Sequence, residues 1–586
     1  MRQWMVAAKK ADFYAIAEKF HVDPVVARII RNREVIGEKN IRIYLGGNLS
    51  DLSDPHQMKD MDRLVEILAQ KIRKQVHIRI IGDYDVDGVT SSHLFLTALR
   101  RVGAKVDVVI PHRIQDGYGL SLHLLQQAKE DGVDTILTCD NGIAAIDEIA
   151  WAKAQKMTVL VTDHHAVPFE EHEGRRTEKK SLADAVVNPH QQDCGYPYKE
   201  LCGAGVAWNV IRVLYENYDM DKREAEDLLD FVAMATVCDV MSLTGENRIL
   251  VKEGLKRIRH TKNIGLQALM QACNVQPENI SAYHFGYVLG PCVNATGRLD
   301  TARHALRLFE TGQETEAEEI ARDLVDLNQE RKELTLQGVE MAKKLCEEGG
   351  YENDPVLVLF LPDVHESIAG LIAGRIREMY NRPVFVLTRG EEGVKGSGRS
   401  TENYSMYENM CGCAELFTKF GGHPMAAGLS LPEENVEKFR RKINENCPLT
   451  VEEVCPDIHI DMAMPVGYAS TELVHQFALL EPFGKDNPSP LFADRNLSIS
   501  RMWLIGKNRN VLRMSVLSEY GQPVPVIFFG DVETLFAYFT EKFGKEEVEN
   551  ALHGRKNRIL FSMVYTAKID FYQGNENLQL EMKYYR

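Results

Sequence analysis

The sequence predicts an α/β protein of several domains: a parallel-sheet domain joined by a long helix to a smaller α/β domain, with a small β-barrel at the C-terminal end. Three observations carry this. From about Val76, short apolar β-branched runs alternate with helical patterns, the βαβα rhythm of a parallel sheet covered by helices on both faces. The stretch "EAEEIARDLVDLNQERKELTLQGVEMAKKL" is charged and amphipathic, with neither Gly nor Pro until Gly338. It predicts a connecting helix in preference to a dimerising coiled coil. Beyond about Asp457 the chain turns to short strands separated by turns, such as "PVPVIFF", the pattern of a small barrel.

Taken in order, residues 1–75 read as a mostly helical N-terminal segment, with "LSDP" a turn ahead of "MDRLVEILAQKI". The first α/β domain spans 76–305. Its expected strands are 76–81, 105–110, 135–138 and 157–162, and its helices 90–101, 121–130 and 144–155. "EEHEGRRTEKK" (170–180) reads as a solvated surface loop. The connecting helix falls in 306–354. The second α/β domain, 355–455, carries strand "VLVLFL", a helix over 367–380 and strand "PVFVLT". The barrel takes 456–586.

A chain of 586 residues fits three or four such domains. With 44% apolar and 26% charged residues it buries real cores. No apolar run approaches the ~18 residues of a membrane span, and the N-terminus lacks a signal-peptide h-region, so a cytoplasmic protein is expected. The eleven cysteines form no C-x-x-C pair, and even Cys411 and Cys413 are spaced too tightly for a zinc knuckle. They read as reduced, mostly buried thiols. The net charge of −16 argues against a protein that coats nucleic acid non-specifically. It leaves room for a nuclease, whose metal site concentrates acidic residues.

The chemistry starts at "IIGDYDVDGVTSS". Asp83, Asp85 and Asp87 alternate and are followed by Gly88, the first half of an EF-hand loop. An EF-hand needs a preceding helix and a Glu at position 12. Here a strand precedes, and position 12 is Leu94. Asp83 and Asp87 could instead cap the following helix, but capping does not explain three aspartates. Asp140 in "TCDNGI" and Asp163, His164 and His165 in "VTDHH" also follow strands. All three clusters therefore fall at the carboxyl ends of strands, where open parallel sheets bind ligands. Carboxylates converging there repel one another by several kcal/mol at low effective dielectric, so cations are required. A mostly oxygen donor set with histidine favours Mn²⁺ or Mg²⁺. More than four ligands implies two ions bridged by a carboxylate, an arrangement suited to phosphoryl hydrolysis.

Together "GDYDVDG", "DNGI", "TDHH" and "ATVCDVMSLTGENR" resemble the DHH phosphoesterases. "HRIQDGYGLS", "LCGAGVAW", "GPCVNATGRLD", "KGSGRS", "GGHPMAAGLS" and "EPFGKDNPSPLF" extend the likeness to those members that degrade single-stranded DNA from its 5′ end. The resemblance implies a DHH domain, a DHHA1 domain and a C-terminal OB-type barrel. It implies release of mononucleotides with two divalent cations, Mn²⁺ or Mg²⁺. In this reading Asp85 holds one ion, Asp87 the other, and Asp140 bridges them, with His164 and Asp239 completing the shell. Asp83, Asp163 and His165 orient ligands or meet the scissile phosphate, and His423 of the GGH motif lies near it. Arg113, Arg298, Ser397 and Arg399 form the pocket for the 5′-phosphate, where the glycines of "GSG" let backbone amides approach the anion.

Cys292 stands where the family carries an arginine, which removes a positive charge near the expected DNA path, and Thr296 replaces an alanine. In the barrel, Arg501, Trp503, Lys507, Arg509, Arg513, Arg555, Lys556 and Arg558 with Phe561 and Tyr565 combine charge and rings as single-strand binders do; Trp503 and Phe561 could equally be core. Single-stranded DNA is the expected partner, with a helicase and a single-strand-binding protein as further ones, no membrane contact, and a monomeric chain.

Overall fold

The computed structural model describes residues 3–586 apart from 114, 115, 118, 173, 174, 391, 392, 507, 508 and 573. The chain divides into two compact units. One comprises Leu49–Ser242 and Glu246–Pro456, the other Gln3–Asn48, Leu243–Gly245 and Asp457–Arg586.

In the first unit five parallel strands lie in the order Val106–Val109, Ile78–Ile81, Thr135–Cys139, Thr158–Thr162, Ala185–Val187. The Ile78–Ile81 and Thr135–Cys139 strands are buried along their whole length, as a parallel sheet covered on both faces requires. Arg79 is the charged residue among them, and its guanidinium is met by Asp107 at 2.7 and 2.9 Å and by Asp131 at 2.9 Å. Because the strands run in one direction, their carboxyl ends share one edge. The Val86–Arg101 helix behind that edge is almost wholly buried, packed by the Gly203–Asn217 and Leu229–Cys238 helices. The segment expected as a solvated loop at 170–180 contains an antiparallel pair instead, Phe169–His172 with Arg175–Glu178. Apart from Phe169 its sequence is polar, which hides strands from a hydrophobicity pattern.

The Glu314–Glu348 helix has 35 residues, a length of roughly 50 Å. It packs against the Ile264–Ala272, Gly290–Leu299 and Ala369–Tyr380 helices, so its apolar stripe is occupied by its own chain. A Cβ at Gly338 would lie 2.3 Å from Ile372 Cδ1; the one interruption in the helical pattern marks this close crossing. Beyond it, a five-stranded mixed sheet runs in the order Lys419–His423, Ala426–Leu431, Gly393–Arg399, Val384–Gly390, Leu357–Phe360, with only the last pair parallel.

In the second unit the strands Phe492–Ile505, Val511–Leu517, Pro523–Phe528, Asn575–Tyr585 and Leu560–Tyr572 pair in that order, and the last returns to the first. The ring is closed, which leaves no free edge among these five. Residues 1–75, expected as one helical segment, are divided between the units. The Pro24–Asn32 helix buries Val25, Val26, Ile29 and Ile30 in one cluster with Phe492, Leu512 and Phe539 of the barrel. Trp4–Val6 pairs in parallel with Ile458–Ile460, and Arg33 makes a bidentate pair with buried Asp461. The apolar face of that helix needs a partner, and the barrel supplies it.

Candidate active site

The loop after Ile78–Ile81 folds back tightly on the helix it precedes. A Cβ at Gly88 would lie 2.5 Å from the backbone N and O of Asp83, so this glycine is fixed by sterics. Asp85 is the N-cap of the Val86–Arg101 helix, its Oδ1 accepting from Gly88 N at 3.0 Å. The expected cappers, Asp83 and Asp87, do otherwise. Asp87 lies inside the helix and reaches across to another, its two oxygens accepting from the amides of Gly203 (2.6 Å) and Ala204 (2.7 Å). Those amides open the Gly203–Asn217 helix, whose positive end steadies the carboxylate. Asp83 is buried, and its Oδ1 finds no hydrogen-bond partner among the described residues.

Asp140 sits at φ 60°, a left-handed conformation that costs a residue with a Cβ about 1–3 kcal/mol. Its neighbour Asn141 holds the turn, donating to Ile81 O at 3.0 Å and to Cys139 O at 2.9 Å. A Cβ on Gly203 would come within 2.6 Å of Asp140 Cβ, so the same glycine whose amide holds Asp87 also leaves room for Asp140. His164 Nε2 lies 3.1 Å from Asp140 Oδ1, 3.6 Å from Asp239 Oδ2 and 3.7 Å from Asp87 Oδ2, yet makes no hydrogen bond. Among the described residues three sets of side chains could each hold an ion: Asp83 with Asp85 and Asp140; Asp87 with His164 and Asp239; and Asp140 with His164 and His165. Asp140 is common to two of them.

Charge in the crevice is under strain. Burial, then the charge of Asp85, raises Asp83 well above the usual carboxylate range. Burial with Asp87, Asp85 and Asp239 does the same to Asp140, and burial with Asp87 raises Asp85. Burial also lowers His164. Asp163 is the contrast. Burial works against its charge, but the hydrogen bond and charge of His165 hold its pKa below normal. Its oxygens accept from Ile143 N, His164 N, His165 N and His165 Nδ1 at 2.7 to 3.0 Å. His165 is raised to about 9, burial being outweighed by Asp163. Asp163 therefore positions the two histidines. Orphaned Asp83 Oδ1, an imidazole nitrogen ringed by three carboxylates, and carboxyls pushed upward by one another all fit a site made for cations.

A cavity of about 530 Å³ lies in the same unit, lined by Arg113, Arg298, Ser397 and Arg399 with Lys395 and Lys419. Arg113 donates to Gly297 O at 3.0 Å, Arg298 to Ser367 O at 2.6 Å, and Arg399 to Gly398 O at 2.7 Å. Among the described residues their hydrogen bonds go to carbonyls or to Ser397 Oγ and none to a carboxylate, while Glu366, which also lines the cavity, pairs with Lys395 at 2.8 Å. Burial together with Arg113, Arg331 and Arg399 lowers Arg298 to about 10. An anion would relieve this repulsion. Lys395, Ser397 and Arg399 alternate along one face of the Gly393–Arg399 strand. The intervening glycines face the core: a Cβ on Gly396 would meet Leu387 at 2.4 Å, and one on Gly398 Met406 at 2.3 Å. "KGSGRS" is thus a strand within the sheet rather than an amide cradle, and its glycines admit core side chains. Arg113 stacks over Tyr84, 3.9 Å from the ring centroid, which joins the cavity to the aspartate loop.

Other expected residues lie apart. His423 is exposed at the end of an edge strand and lines neither the cavity nor the carboxylate groups. Cys292 is buried at 2% exposure, its Sγ accepting from Asn328 Nδ2 at 3.3 Å and lying 3.8 Å from Cys273 Sγ. It faces the long helix through Asn328 rather than an exposed surface. In the barrel, Phe561 and Tyr565 are core, the Tyr565 hydroxyl donating to Met464 O at 2.9 Å. Trp503 is half-buried on the outer face, with Arg501 and Arg513 at 5.7 and 5.9 Å from its ring. Arg509 is exposed nearby in the chain, and Lys507 lies outside the described residues. Sequence reasoning missed Lys395, Lys419, Tyr84 and the placing of Gly203; of these Lys395 alone carried a signal, its alternation with Ser397 and Arg399 along one strand.

A carboxylate–histidine crevice at the carboxyl edge of this parallel sheet defines a hydrolase of the DHH class. The model for the "DHH family, N-terminal domain" matches residues 77–236, the "DHHA1 domain" 353–447 and the "RecJ OB domain" 460–584. The chain is 32% identical over 582 residues to the single-stranded-DNA-specific exonuclease RecJ of Haemophilus influenzae, covering 96% of each protein. It is 33% identical over 512 residues to that of Bacillus subtilis, covering 87% of this chain but only 63% of that protein's length. The chain belongs to the RecJ family. The crystal structure of Thermus thermophilus RecJ in complex with Mn²⁺ matches with a TM-score of 0.81 at 25% identity, over 100% of this chain and 79% of that one. A structure of exonuclease RecJ bound to manganese matches 66% of this chain and 94% of that one, at 32% identity and a TM-score of 0.57.

Proposed function

We propose that this chain hydrolyses single-stranded DNA from its 5′ end, releasing 5′-mononucleotides with two divalent cations, Mn²⁺ or Mg²⁺, in DNA recombination and repair. The observation that carries this is the link through Tyr84. Its ring carries Arg113 of the anion cavity, while its chain neighbours Asp83 and Asp85 belong to the carboxylate cluster. A terminal phosphate held by the arginines thus puts the next phosphodiester at the carboxylates.

Asp83, Asp85 and Asp140 would hold one cation, Asp87, His164 and Asp239 the other, with Asp140 shared. Bound there, the pair would supply an activated water and stabilise the leaving oxygen. Asp163 fixes the tautomer and ring of His165 through Nδ1. The Gly203 and Ala204 amides hold Asp87, and Arg113, Arg298, Ser397 and Arg399 set which bond is presented. Asp83 is thereby promoted from an orienting residue to a ligand. Relatives solved or named as single-strand exonucleases, one with Mn²⁺, support the reading. The outward Trp503, Arg501 and Arg513 fit a strand along the barrel. All eleven cysteines are free, which fits the cytoplasmic, reducing setting we assign. A helicase and a single-strand-binding protein belong to the same proposal.

The test is digestion of single strands labelled at either end, with Mn²⁺ and Mg²⁺ compared. The 5′ label should emerge as mononucleotide, and Asp140→Ala should abolish hydrolysis. Release from the 3′ end, or cleavage of dinucleotides alone, would overturn the assignment.

A further inference from the structure

The catalytic unit carries an aromatic pair that the site described above leaves unused. Residues 282–299 form one continuous helix, Ala282–His284 running through a π-turn at Phe285–Leu289 into Gly290–Leu299. Single π-turns within α-helices occur frequently at functional sites. One face is buried: Phe285, Leu289, Cys292, Val293 and Thr296. On the other face Tyr283 and Tyr287 are exposed and Pro291, Asn294 and Arg298 are half-buried, at the i, i+4, i+7, i+11 spacing of a single stripe from Tyr287 onward.

That stripe faces the chemistry. Asn294 Oδ1 accepts from Val86 N at 3.2 Å, between two of the aspartates. A Cβ on Gly297 would lie 2.4 Å from Tyr84 O, and Arg298 lines the anion cavity. The π-turn also touches the far side of the site, with Cys238 Sγ donating to Phe285 O at 3.3 Å beside Asp239. Tyr287 lies about 16 Å along the helix from Arg298. Tyr283 and Tyr287 stack with centroids 5.0 Å apart and planes 21° from parallel, yet they are 61% and 71% exposed. An i, i+4 aromatic pair steadies a helix slightly, but these rings leave most of their surface to solvent on the stripe that leads to the carboxylates.

Resting on the function proposed above, we infer that Tyr283 and Tyr287 form a stacking platform for nucleobases downstream of the bond being cut. A strand anchored by its 5′-phosphate at Arg298 leaves the carboxylates along this stripe and lays its bases on the two rings. Such stacking accepts any base, because every base has a π-face. The platform adds grip on strands longer than the product and calls for no sequence preference.

The full-length protein, with chelator to stop hydrolysis, is titrated with a fluorescent 5′-phosphorylated single strand. Replacing both rings, Tyr283→Ala with Tyr287→Ala, should raise Kd roughly tenfold. Tyr283→Phe with Tyr287→Phe should hold it within twofold, since the rings persist. The salt dependence should be unchanged, because no phosphate contact is lost. In the unmutated protein, strands carrying 5-iododeoxyuridine at successive positions should photo-cross-link to Tyr283 or Tyr287 when the modified base lies a few nucleotides from the 5′ end. Unchanged affinity in the alanine pair, equal loss in the phenylalanine pair, or absence of cross-links to this helix overturns the platform, as would an effect confined to binding another protein. Failure of the unmutated chain to degrade any single strand would instead overturn the functional reading beneath it.

Discussion

Gly203→Ala should silence the enzyme without unfolding it. The added Cβ would stand 2.6 Å from Asp140 Cβ and 2.8 Å from Asp140 Oδ1, whereas ordinary contact begins at 3.4 Å. One partner must yield by about 0.8 Å. Gly203 cannot withdraw cheaply, because its amide is the 2.6 Å donor to Asp87 Oδ2 and it opens a buried helix. Asp140 is already at φ 60° and is held by the turn that Asn141 ties to two strands. The carboxylate common to two of the candidate ion-holding sets therefore moves. A misplacement of ~1 Å at a reacting centre costs about 10²-fold in rate. Single-turnover digestion of a 5′-labelled strand should fall by about that factor. Strand affinity in chelator should hold, because the arginine cavity is untouched, and thermal unfolding should shift only a few degrees. A rate within threefold of the unmutated protein would refute the claim that this contact sets the position of Asp140.

Arg399→Ala should lower kcat/KM on 5′-phosphorylated ends by roughly 10- to 100-fold, the worth of a charge-assisted hydrogen bond, and spare 5′-hydroxyl ends; equal losses on both would count against the cavity. Asp230, whose oxygens accept from Thr261 Oγ1 at 2.6 Å and Phe231 N at 2.8 Å, is raised by burial to about 6. A carboxyl raised on folding favours the fold below its unfolded pKa and loses that contribution as pH rises through its folded value. Asp230→Asn should therefore melt higher than the unmutated chain at pH 8, by an increment worth about 3 kcal/mol, and the difference should vanish near pH 4; a constant difference across that range would refute it. Deleting 457–586 alone strips the cover from Val25, Val26, Ile29 and Ile30 and should aggregate. Deleting 1–48 with it should give a monodisperse fragment that hydrolyses dinucleotides but grips long strands weakly, and size-exclusion chromatography distinguishes the two truncations.

Much of the site was legible because parallel-sheet chemistry is local. A β-branched run followed at once by aspartate marks the carboxyl end of a strand, and 81–87, 138–140 and 161–165 repeat that grammar three times. What was not legible depends on partners far apart in the chain. Asp87 reads as a helix cap until Gly203 and Ala204, 116 and 117 positions on, take its oxygens. Asp85, the true cap, differs from Asp83 and Asp87 by no property of its own, only by where the backbone turns. The glycines of "KGSGRS" carry the composition of a phosphate loop, and only the side chains of Leu387, Phe385, Met406 and Leu429 on the far face of the sheet reveal that they are there for packing. Cys292 follows the same logic: a helix position has a direction, and periodicity gives it only relative to a core already located. Aspartate and arginine disclose chemistry from their own identity, whereas glycine and cysteine disclose their role only through the atoms they leave room for. The clearest test of the site's geometry is accordingly a glycine variant such as Gly203→Ala, where no functional atom is removed and geometry alone is changed.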